Sequence, residues 1–186
     1  EQRADIAYLE GQEHRLSAIA NLESAINKLK RDRSQVVDEI KALISKGTPA
    51  RDSIAANFNL YCRRVLNHEG LFYVRQNTMG NVEFPIELLE KGSKRASRQS
   101  EGKSYKQMLC ALFDLSVLKA YEELPFYHFV YHDGILEGLD NRMKVRFLEL
   151  VSELIADGKI QYIMSIINSD LPRDEDDKPV AFSSEE

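Results

Sequence analysis

A stripe of apolar residues, spaced alternately by three and four positions, constrains the fold of this chain more than any other feature. Its members are Ile19, Leu22, Ile26, Leu29, Arg33, Val36, Ile40 and Leu43, among which Arg33 alone is polar. This is the a/d spacing of a heptad repeat, and it continues over about 25 residues. A lone amphipathic helix lying on its own domain is the alternative interpretation. The narrowness of the stripe favours a coiled-coil helix over residues 1–47.

The residues after this helix predict a second domain over residues 48–186. The sequence Gly47-Thr48-Pro49 ends the first helix, with glycine as the C-cap residue and proline as the stop. A helical pattern then covers about residues 50–66. Two strand-like segments, 71–74 and 82–86, follow on either side of Asn77-Thr78-Met79-Gly80-Asn81. That arrangement predicts a β-hairpin.

The C-terminal part of this domain has the pattern of a βαβ unit. A helix over about 107–121 precedes an aromatic and β-branched run, 126–131, that does not alternate with polar residues. Such a run predicts a strand, 126–133, buried on both faces as in a parallel sheet. A helix of about 141–157 separates it from a second predicted buried strand, 160–167. The fold class predicted for the domain is therefore α/β, with a charged tail at 173–186.

Composition excludes several classes of protein. The chain has 186 residues, 43% of them hydrophobic and 30% charged, and a net charge of −5. These values fit one or two packed domains and not a disordered or fibrous chain. No apolar run approaches the roughly 18 residues of a membrane helix, and no secretory signal opens the chain. The two cysteines, Cys62 and Cys110, predict reduced thiols, with Cys110 in a core helix; we therefore expect a cytoplasmic protein without a membrane partner.

Candidate motifs for common chemistries are weak. Gly102-Lys103-Ser104 is similar to the end of a phosphate-binding P-loop, but Ser97 stands where that motif needs glycine, and no apolar strand leads into it. The four histidines lack metal-ligand spacing. The basic segment from Lys91 to Lys106 has two interpretations, a solvated loop and a contact for nucleic-acid phosphates.

A more specific pattern follows the predicted strand 126–133. Asp133 comes directly after the apolar run, where a carboxylate can hold the Mg²⁺ of a nucleotide, and Gly138-Leu139-Asp140 follows at the spacing of the "D-E-P-T-x-x-L-D" segment of ABC-type ATPases. With Gly80-Asn81-Val82-Glu83-Phe84, Asn141-Arg142, Gln161-Tyr162-Ile163 and Asn168-Ser169-Asp170-Leu171-Pro172, this order resembles the C-terminal half-head of an SMC/RecN/SbcC-like ABC ATPase. More narrowly, it is similar to the YydD-like bacterial family, whose C-terminal domain follows a coiled coil.

The resemblance implies a role for each matching residue. The segment 97–106 would be the signature loop, with Ser100, Gly102 and Lys103 contacting the nucleotide bound to a second subunit. Asp133 would be the catalytic carboxylate associated with Mg²⁺. The loop Gly138-Leu139-Asp140 would be the D-loop at a dimer interface, and Asp140 also has the pattern of a helix cap. Asn168 and Ser169 would form the switch region.

Some positions depart from the family pattern. Gly134 stands where ABC ATPases place the glutamate that orients the attacking water, which leaves Glu137 and His132 as the candidates for that role. Asn168 and Ser169 replace the switch histidine, and Glu101 replaces a glycine of the signature.

The function implied is an ATP- and Mg²⁺-dependent head of an SMC-like coiled-coil ATPase acting on DNA, in repair or phage defence. It would need an N-terminal P-loop lobe, expected before the coiled coil in the same polypeptide or supplied by another chain. It would form a homodimer through head and coiled coil, with accessory proteins as further partners. Two alternatives stay open: a non-catalytic coiled-coil assembly or docking protein with a degenerate head, and a plain α/β adaptor without a nucleotide site.

Overall fold

The computed structural model describes residues 2–90, 102–173 and 178. Residues 97–101 of the predicted signature loop, Ser100 among them, lie outside the described residues, as does the predicted tail apart from Arg173 and Lys178. In chain order, the elements are α1 (Gln2–Lys46), α2 (Pro49–Leu66), β1 (Glu69–Phe72), β2 (Arg75–Gln76), β3 (Val82–Glu83), β4 (Ile86–Leu89), α3 (Lys103–Ala120), β5 (Phe129–Asp133), α4 (Asn141–Ile155), β6 (Gln161–Ser165) and a short 3₁₀ helix (Asn168–Asp170). Among the described helices, none has the length and apolar character that crossing a bilayer requires.

The chain divides into two compact units. One consists of residues 1–46 together with 76–81, and the other of residues 47–75 and 82–186. In the first unit, α1 is a single helix of 45 residues. The apolar stripe along it is exposed, with Leu22, Leu29 and Leu43 each more than 60% accessible. The predicted long helix is therefore present, and its pairing in a coiled coil stays a prediction.

The start of α2 shows how the sequence separates this helix from α1. Gly47 has a φ of +65°, a left-handed conformation that glycine adopts without the Cβ penalty. Thr48 is the N-cap, and its Oγ1 accepts a hydrogen bond from the Arg51 backbone N–H at 3.2 Å. Pro49 occupies the first turn, where its missing N–H costs no helical hydrogen bond.

The predicted hairpin is confirmed, with pairing that extends further than the sequence pattern indicated. β1 and β4 are antiparallel, from Glu69 opposite Leu89 to Phe72 opposite Ile86, while β2 pairs with β3 near the turn. Gly70 in β1 lies against α2, where a Cβ atom would meet the Cys62 Sγ at 2.6 Å.

The predicted βαβ unit is also confirmed, but the burial predicted for its strands is wrong. β5 and β6 are parallel and lie on either side of α4 in the chain. The strand begins at Phe129, and not at residue 126, and its residues alternate in exposure. Phe129 and Tyr131 are 53% and 55% exposed, and Ile163 on β6 is 39% exposed. The described helices that contact the strands, α3 and α4, cover one face of this two-stranded sheet, and the other face is open.

The core of the second unit lies among α2, α3 and α4. Its largest fully buried side chains include Phe58, Phe147, Met108, Leu112 and Leu115. Phe113 on α3 contacts two aromatic rings, those of Phe58 and Phe72, at centroid distances of 6.1 and 5.0 Å. Cys62 is buried in this core, whereas Cys110 is exposed on α3, so the prediction of a core position for Cys110 is wrong. Both thiols are free, as predicted.

Candidate functional site at the ends of two parallel strands

Asp133, the principal residue singled out by the sequence, is the last residue of β5. Its register partner in β6 is Ser165, and the Ser165 Oγ donates a hydrogen bond to the Asp133 Oδ1. The Ser165 hydroxyl in turn accepts a hydrogen bond from the Tyr131 OH at 3.4 Å. The backbone N–H of Gly134 donates to the Ser165 carbonyl at 3.1 Å, which joins the two strand ends. A carboxylate is therefore held at the carboxyl edge of a parallel pair, the usual location of ligand sites in such sheets.

A cavity of about 360 Å³ opens at these strand ends. Its lining consists of Asp133, Gly134, Glu137, Ser165, Ile166, Ile167 and Asp170. Three of these side chains carry a carboxylate. Lys144 lies near one of them, with its Nζ 3.9 Å from the Asp170 Oδ1. Lys144 is only 8% exposed, so α4 places a nearly buried ammonium group beside the 3₁₀ helix.

The turn after β5 depends on glycine and on a side chain from α3. Gly134 has a φ of +60°, and the Glu137 N–H donates to its carbonyl at 3.0 Å. The Glu137 carboxylate folds back over the turn, with its Oε2 4.0 Å from the position of a Cβ on Gly134. Gln107 on α3 donates its Nε2–H to the carbonyls of Asp133 and Gly134, each at 3.2 Å. Asp133 and Glu137 are thus brought to the same cavity.

His132 is not brought to this cavity. It points to the helix side of β5, where its Nε2 lies 3.1 Å from the Asp114 Oδ2 and its Nδ1 lies 2.9 Å from the Tyr162 hydroxyl oxygen. Burial, with the nearby Asp114 charge as a smaller cause, raises the pKa of Tyr162. Both ring nitrogens of His132 are engaged in this Asp–His–Tyr chain, which links α3 to β5 and β6. The geometry therefore gives His132 a packing role and leaves Glu137 as the acidic residue beside Asp133.

The three predicted D-loop residues connect β5 to α4. Gly138 has a φ of +68°, and a Cβ there would lie 2.8 Å from the Ser104 Oγ, so the loop lies close to the first turn of α3. Leu139 is buried in the core, while Gly138 and Asp140 are exposed. The Asp140 Oδ1 accepts a hydrogen bond from the Met143 N–H at 3.0 Å, which confirms its predicted capping role.

The remaining predicted site residues lie at the margin of this region. Gly102 is the N-cap of α3 and makes no side-chain capping hydrogen bond, and exposed Lys103 is the first helical residue. Asn168 and Ser169 are exposed in the 3₁₀ helix, next to the cavity residues Ile167 and Asp170. None of these four residues lines the cavity.

Sequence reasoning missed three residues that shape the site: Gln107, Lys144 and Ser165. Parallel register was the signal for Ser165, because two parallel strands that both end at the site place their last residues side by side. Lys144 stands out only as a charged residue on the apolar stripe of α4, between Met143 and Phe147. No short-range pattern indicates Gln107, whose role depends on the packing of α3 against β5.

The resemblance implies a bound Mg²⁺–nucleotide, and the oxygen ligands at the cavity decide whether the site fits one. Within the described ranges, no group of three or more His, Cys, Asp or Glu side chains could hold a metal ion. Mg²⁺ commonly takes only one or two carboxylates, with phosphate oxygens and water as its other ligands. Asp133, with Ser165 and Glu137 beside it, fits that partial set. If Mg²⁺ and a nucleotide bind at this cavity, these three residues would form one side of the site.

The fold and the site define a mixed α/β domain with an acidic cavity at the open end of a parallel strand pair. The chain belongs to the DUF2326 family, described as an uncharacterised protein conserved in bacteria, whose sequence profile matches residues 60–186. The narrower resemblance to the YydD-like family stays a prediction. No curated protein matches the sequence.

Several solved structures of SMC heads are similar to this chain. A structure from work on the ATP-driven dimerisation and DNA-stimulated activation of SMC ATPases is 17% identical, with a TM-score of 0.47, over 64% of this chain and 70% of that one. The Smc head bound to the C-winged-helix domain of ScpA is 17% identical, with a TM-score of 0.45, over 63% of this chain and 35% of that one.

A third structure is the Pyrococcus furiosus Smc head with an extended coiled coil, bound to the C-terminal domain of ScpA. It is 16% identical, with a TM-score of 0.44, over 79% of this chain and 37% of that one. The chain therefore spans little more than a third of the length of the two ScpA-bound heads.

Proposed function

We propose that this chain is the C-terminal lobe of an SMC-like, ABC-type ATPase head preceded by a coiled-coil helix. In this proposal Asp133 holds the Mg²⁺ of a bound ATP, and Glu137 positions the attacking water. The observation that carries it is the placement of Asp133, Ser165 and Glu137 around one cavity at the carboxyl ends of β5 and β6. ATP with Mg²⁺ would supply the phosphoryl group, and the residues of this chain would bind and orient it.

The open face of the strand pair supports the need for a second, P-loop-bearing lobe. Parallel sheets are ordinarily covered on both faces, and two strands alone are a marginal sheet. Here Phe129, Tyr131 and Ile163 expose 53%, 55% and 39% of their surface on one face. An N-terminal lobe that packs on this face would cover this apolar surface and bring its phosphate-binding loop to the cavity.

Head dimerisation is part of the same proposal. Ser100, Gly102 and Lys103 would contact the nucleotide of the second subunit from the start of α3. The uncapped N-terminus of α3 has no acidic residue in its first turn, which leaves its backbone N–H groups suited to an anion. Gly138 and Asp140 would lie at the dimer interface, with Leu139 anchoring the loop in the core. Asn168 and Ser169 would sense the nucleotide from the 3₁₀ helix.

The experiment that tests this proposal is ATP turnover by the full-length polypeptide, comparing variants of matched chemistry. We expect Asp133→Asn and Glu137→Gln each to lower turnover by about a hundredfold or more, as removal of a positioned acid–base group does. Asp157→Asn and Glu149→Gln make the same carboxylate-to-amide change at residues that do not line the cavity, so these control variants should retain activity. Ser100→Arg should abolish turnover while leaving ATP binding intact. Unchanged turnover in both Asp133→Asn and Ser100→Arg would overturn the site assignment.

A second candidate function, a non-catalytic nucleotide-gated or docking head, is favoured by Gly134. This residue occupies the position of the usual catalytic glutamate, and its φ of +60° is strained for any residue with a side chain. The backbone conformation of this turn therefore favours glycine over glutamate at position 134. Stoichiometric ATP binding without turnover in the wild-type protein, and no gain of turnover in Gly134→Glu, would support this function over the first.

The assembled protein is proposed to act on DNA in the cytoplasm, in repair or phage defence, with accessory proteins as partners. The basic segment between Lys91 and Lys106 is the part of the chain with the charge for phosphate contacts, and most of it lies outside the described residues. Fluorescence anisotropy with labelled duplex DNA tests this, because replacing those lysines and arginines with glutamine should reduce both the affinity and its salt dependence.

A further inference from the structure

One face of α3 is polar where it meets β5 and the turn that follows this strand. Ser104, Gln107 and Asp114 share this face, because spacings of three and seven residues place side chains on one side of a helix. The Asp114 Oδ2 lies 3.1 Å from the His132 Nε2, and a Cβ on Gly138 would lie 2.8 Å from the Ser104 Oγ. The helix therefore contacts the strand and the far end of the turn, with Gln107 between the two contacts.

Gln107 is bonded to the backbone of the turn itself. Its Nε2 lies 3.2 Å from the carbonyl oxygen of Asp133 and 3.2 Å from that of Gly134. A primary amide has two hydrogens on one nitrogen, so each carbonyl accepts one of them. The side chain is half-buried. One side chain of α3 thus holds two consecutive backbone carbonyls.

These two carbonyls belong to the backbone that presents both carboxylates of the proposed site. Asp133 is bonded at its own carbonyl. The Gly134 carbonyl also accepts the Glu137 N–H at 3.0 Å, so it connects Gln107 to the start of Glu137. Between them, Ile135 and Leu136 are 1% and 0% exposed, which anchors the middle of the turn in the core.

The turn contains two glycines, which increases its need for a tie from outside. Gly134 and Gly138 have φ angles of +60° and +68°. Glycine has the widest range of backbone conformations, so more conformational entropy is lost when such a turn adopts one arrangement. Hydrogen bonds from a side chain on a helix offset part of that cost.

We propose that Gln107 is a positioning residue for the nucleotide site. Its two hydrogen bonds fix the turn 133–137, so that Asp133 and Glu137 face the cavity in a single arrangement. The inference rests on the proposed function and adds to it a residue that touches neither ATP nor Mg²⁺. A displacement of reacting groups by about 1 Å can cost about a hundredfold in rate, so the loss of these bonds lowers the rate of the chemical step.

Two substitutions separate hydrogen bonding from packing at this position. Gln107→Met keeps the length of an unbranched side chain and removes both donors. Gln107→Lys keeps a flexible side chain with N–H donors that can reach the same carbonyls. A positioning role through donors predicts that lysine substitutes for glutamine and methionine does not. A packing role predicts the reverse order.

The first measurement is steady-state ATP turnover by the full-length polypeptide. We expect Gln107→Met to lower kcat by about tenfold or more and to leave the KM for ATP within about threefold, because the bonds act on the chemical step. Gln107→Lys should keep kcat within about threefold of the wild type. Gln161→Met, at an exposed glutamine that does not line the cavity, is the matched control and should have wild-type kinetics.

The second measurement needs no turnover. Hydrogen–deuterium exchange in the 186-residue chain, followed on a peptide that spans residues 133–139, reports the N–H groups of Gly134 and Glu137 that bond within the strand ends and the turn. Gln107→Met should accelerate exchange in this peptide by about tenfold, and Gln107→Lys should not. Exchange in residues 147–154 of α4 should be unchanged in both variants.

The outcomes distinguish this inference from the proposed function. Wild-type kcat in Gln107→Met, or an equal loss in the methionine and lysine variants, would overturn the positioning role and leave the assignment of Asp133 intact. A wild-type protein without turnover would overturn the hydrolytic function. Exchange then decides the role of Gln107, since acceleration by methionine alone supports it and unchanged exchange overturns it.

Discussion

Ser165 and Asp133 are register partners at the last positions of two parallel strands, and the Ser165 hydroxyl donates a hydrogen bond to the Asp133 carboxylate. This relationship fixes the geometry of the cavity edge, because neither side chain is held by a loop. It depends in turn on the helices beneath the sheet. Tyr162, on the helix side of β6, packs against Phe147 of α4 with a ring-centroid distance of 5.9 Å. The site therefore requires an intact core on that side.

Removing the Phe147 ring should be among the most damaging core changes. Phe147 is fully buried, and Phe→Ala in such a position typically costs about 3–5 kcal/mol of the free energy of unfolding. Phe129→Ala is the matched control, because Phe129 is 53% exposed and its truncation should cost within about 1 kcal/mol. Urea denaturation followed by circular dichroism measures both. Equal losses in the two variants would show that the open sheet face is buried in solution.

A second pair of variants compares two glycines. At Gly70, a Cβ would meet the Cys62 Sγ at 2.6 Å and the Cys62 Cβ at 2.8 Å, so Gly70→Ala forces β1 away from α2. We expect a loss of about 1–3 kcal/mol, as for overpacked cores. Nothing lies within 4 Å of the corresponding atom at Gly11, in α1. Gly11→Ala should therefore add helix stability, by about 1 kcal/mol. Thermal unfolding of both variants provides the comparison, and a stable Gly70→Ala protein would contradict the packing described.

How far the sequence could predict this structure depends on the range of the interactions involved. The heptad stripe, the Gly47-Thr48-Pro49 break and the hairpin turn are local patterns, and each predicts an element that the structure contains. The exposure of Phe129 and Tyr131 could not be predicted in this way, because an apolar run does not show whether anything covers its second face.

At the candidate site, too, features set by local sequence patterns were predictable, and features set by long-range packing were not. The position of Asp133 after an apolar strand predicted a functional carboxylate at the strand end, and the structure has a cavity there. The Asp140 cap was predicted from a helix-start pattern. The direction of His132 was not predictable, because its partners Asp114 and Tyr162 come from elements 18 and 30 residues away. Gln107 and Lys144 likewise reach the site only through the packing of α3 and α4.

The two cysteines should differ in reactivity toward Ellman's reagent. Cys110 is exposed and should react in the native chain, whereas buried Cys62 should react only after unfolding. Burial and, to a smaller extent, the Asp114 charge raise the pKa of Cys110, so its reaction should be slow at neutral pH and accelerate as pH rises. Asp114→Asn removes the charge contribution and should speed the reaction at pH 8. The absorbance of the released thiolate follows both rates, and similar rates for the two native thiols would contradict the burial of Cys62.

Alkaline pH should destabilise the chain through Tyr61, which packs in the core on α2. Burial, with a smaller effect from the Glu122 charge, raises the pKa of Tyr61 from 10.0 to about 12. Between these values the unfolded chain loses the phenolic proton while the folded chain keeps it. The unfolded state then binds fewer protons, and the free energy of unfolding falls as pH rises.

The contribution of Tyr61 is fully present below pH 10 and is lost as pH rises to about 12. Urea denaturation at pH 9 and at pH 11 measures the fall, and Tyr61→Phe should make it shallower because the variant has no phenol to ionise at this position. Tyr127→Phe, at a tyrosine that is 73% exposed, is the matched control and should leave the slope unchanged. If Tyr61→Phe and the wild type lose stability equally between the two pH values, the phenol ionises as readily in the folded chain as in the unfolded one.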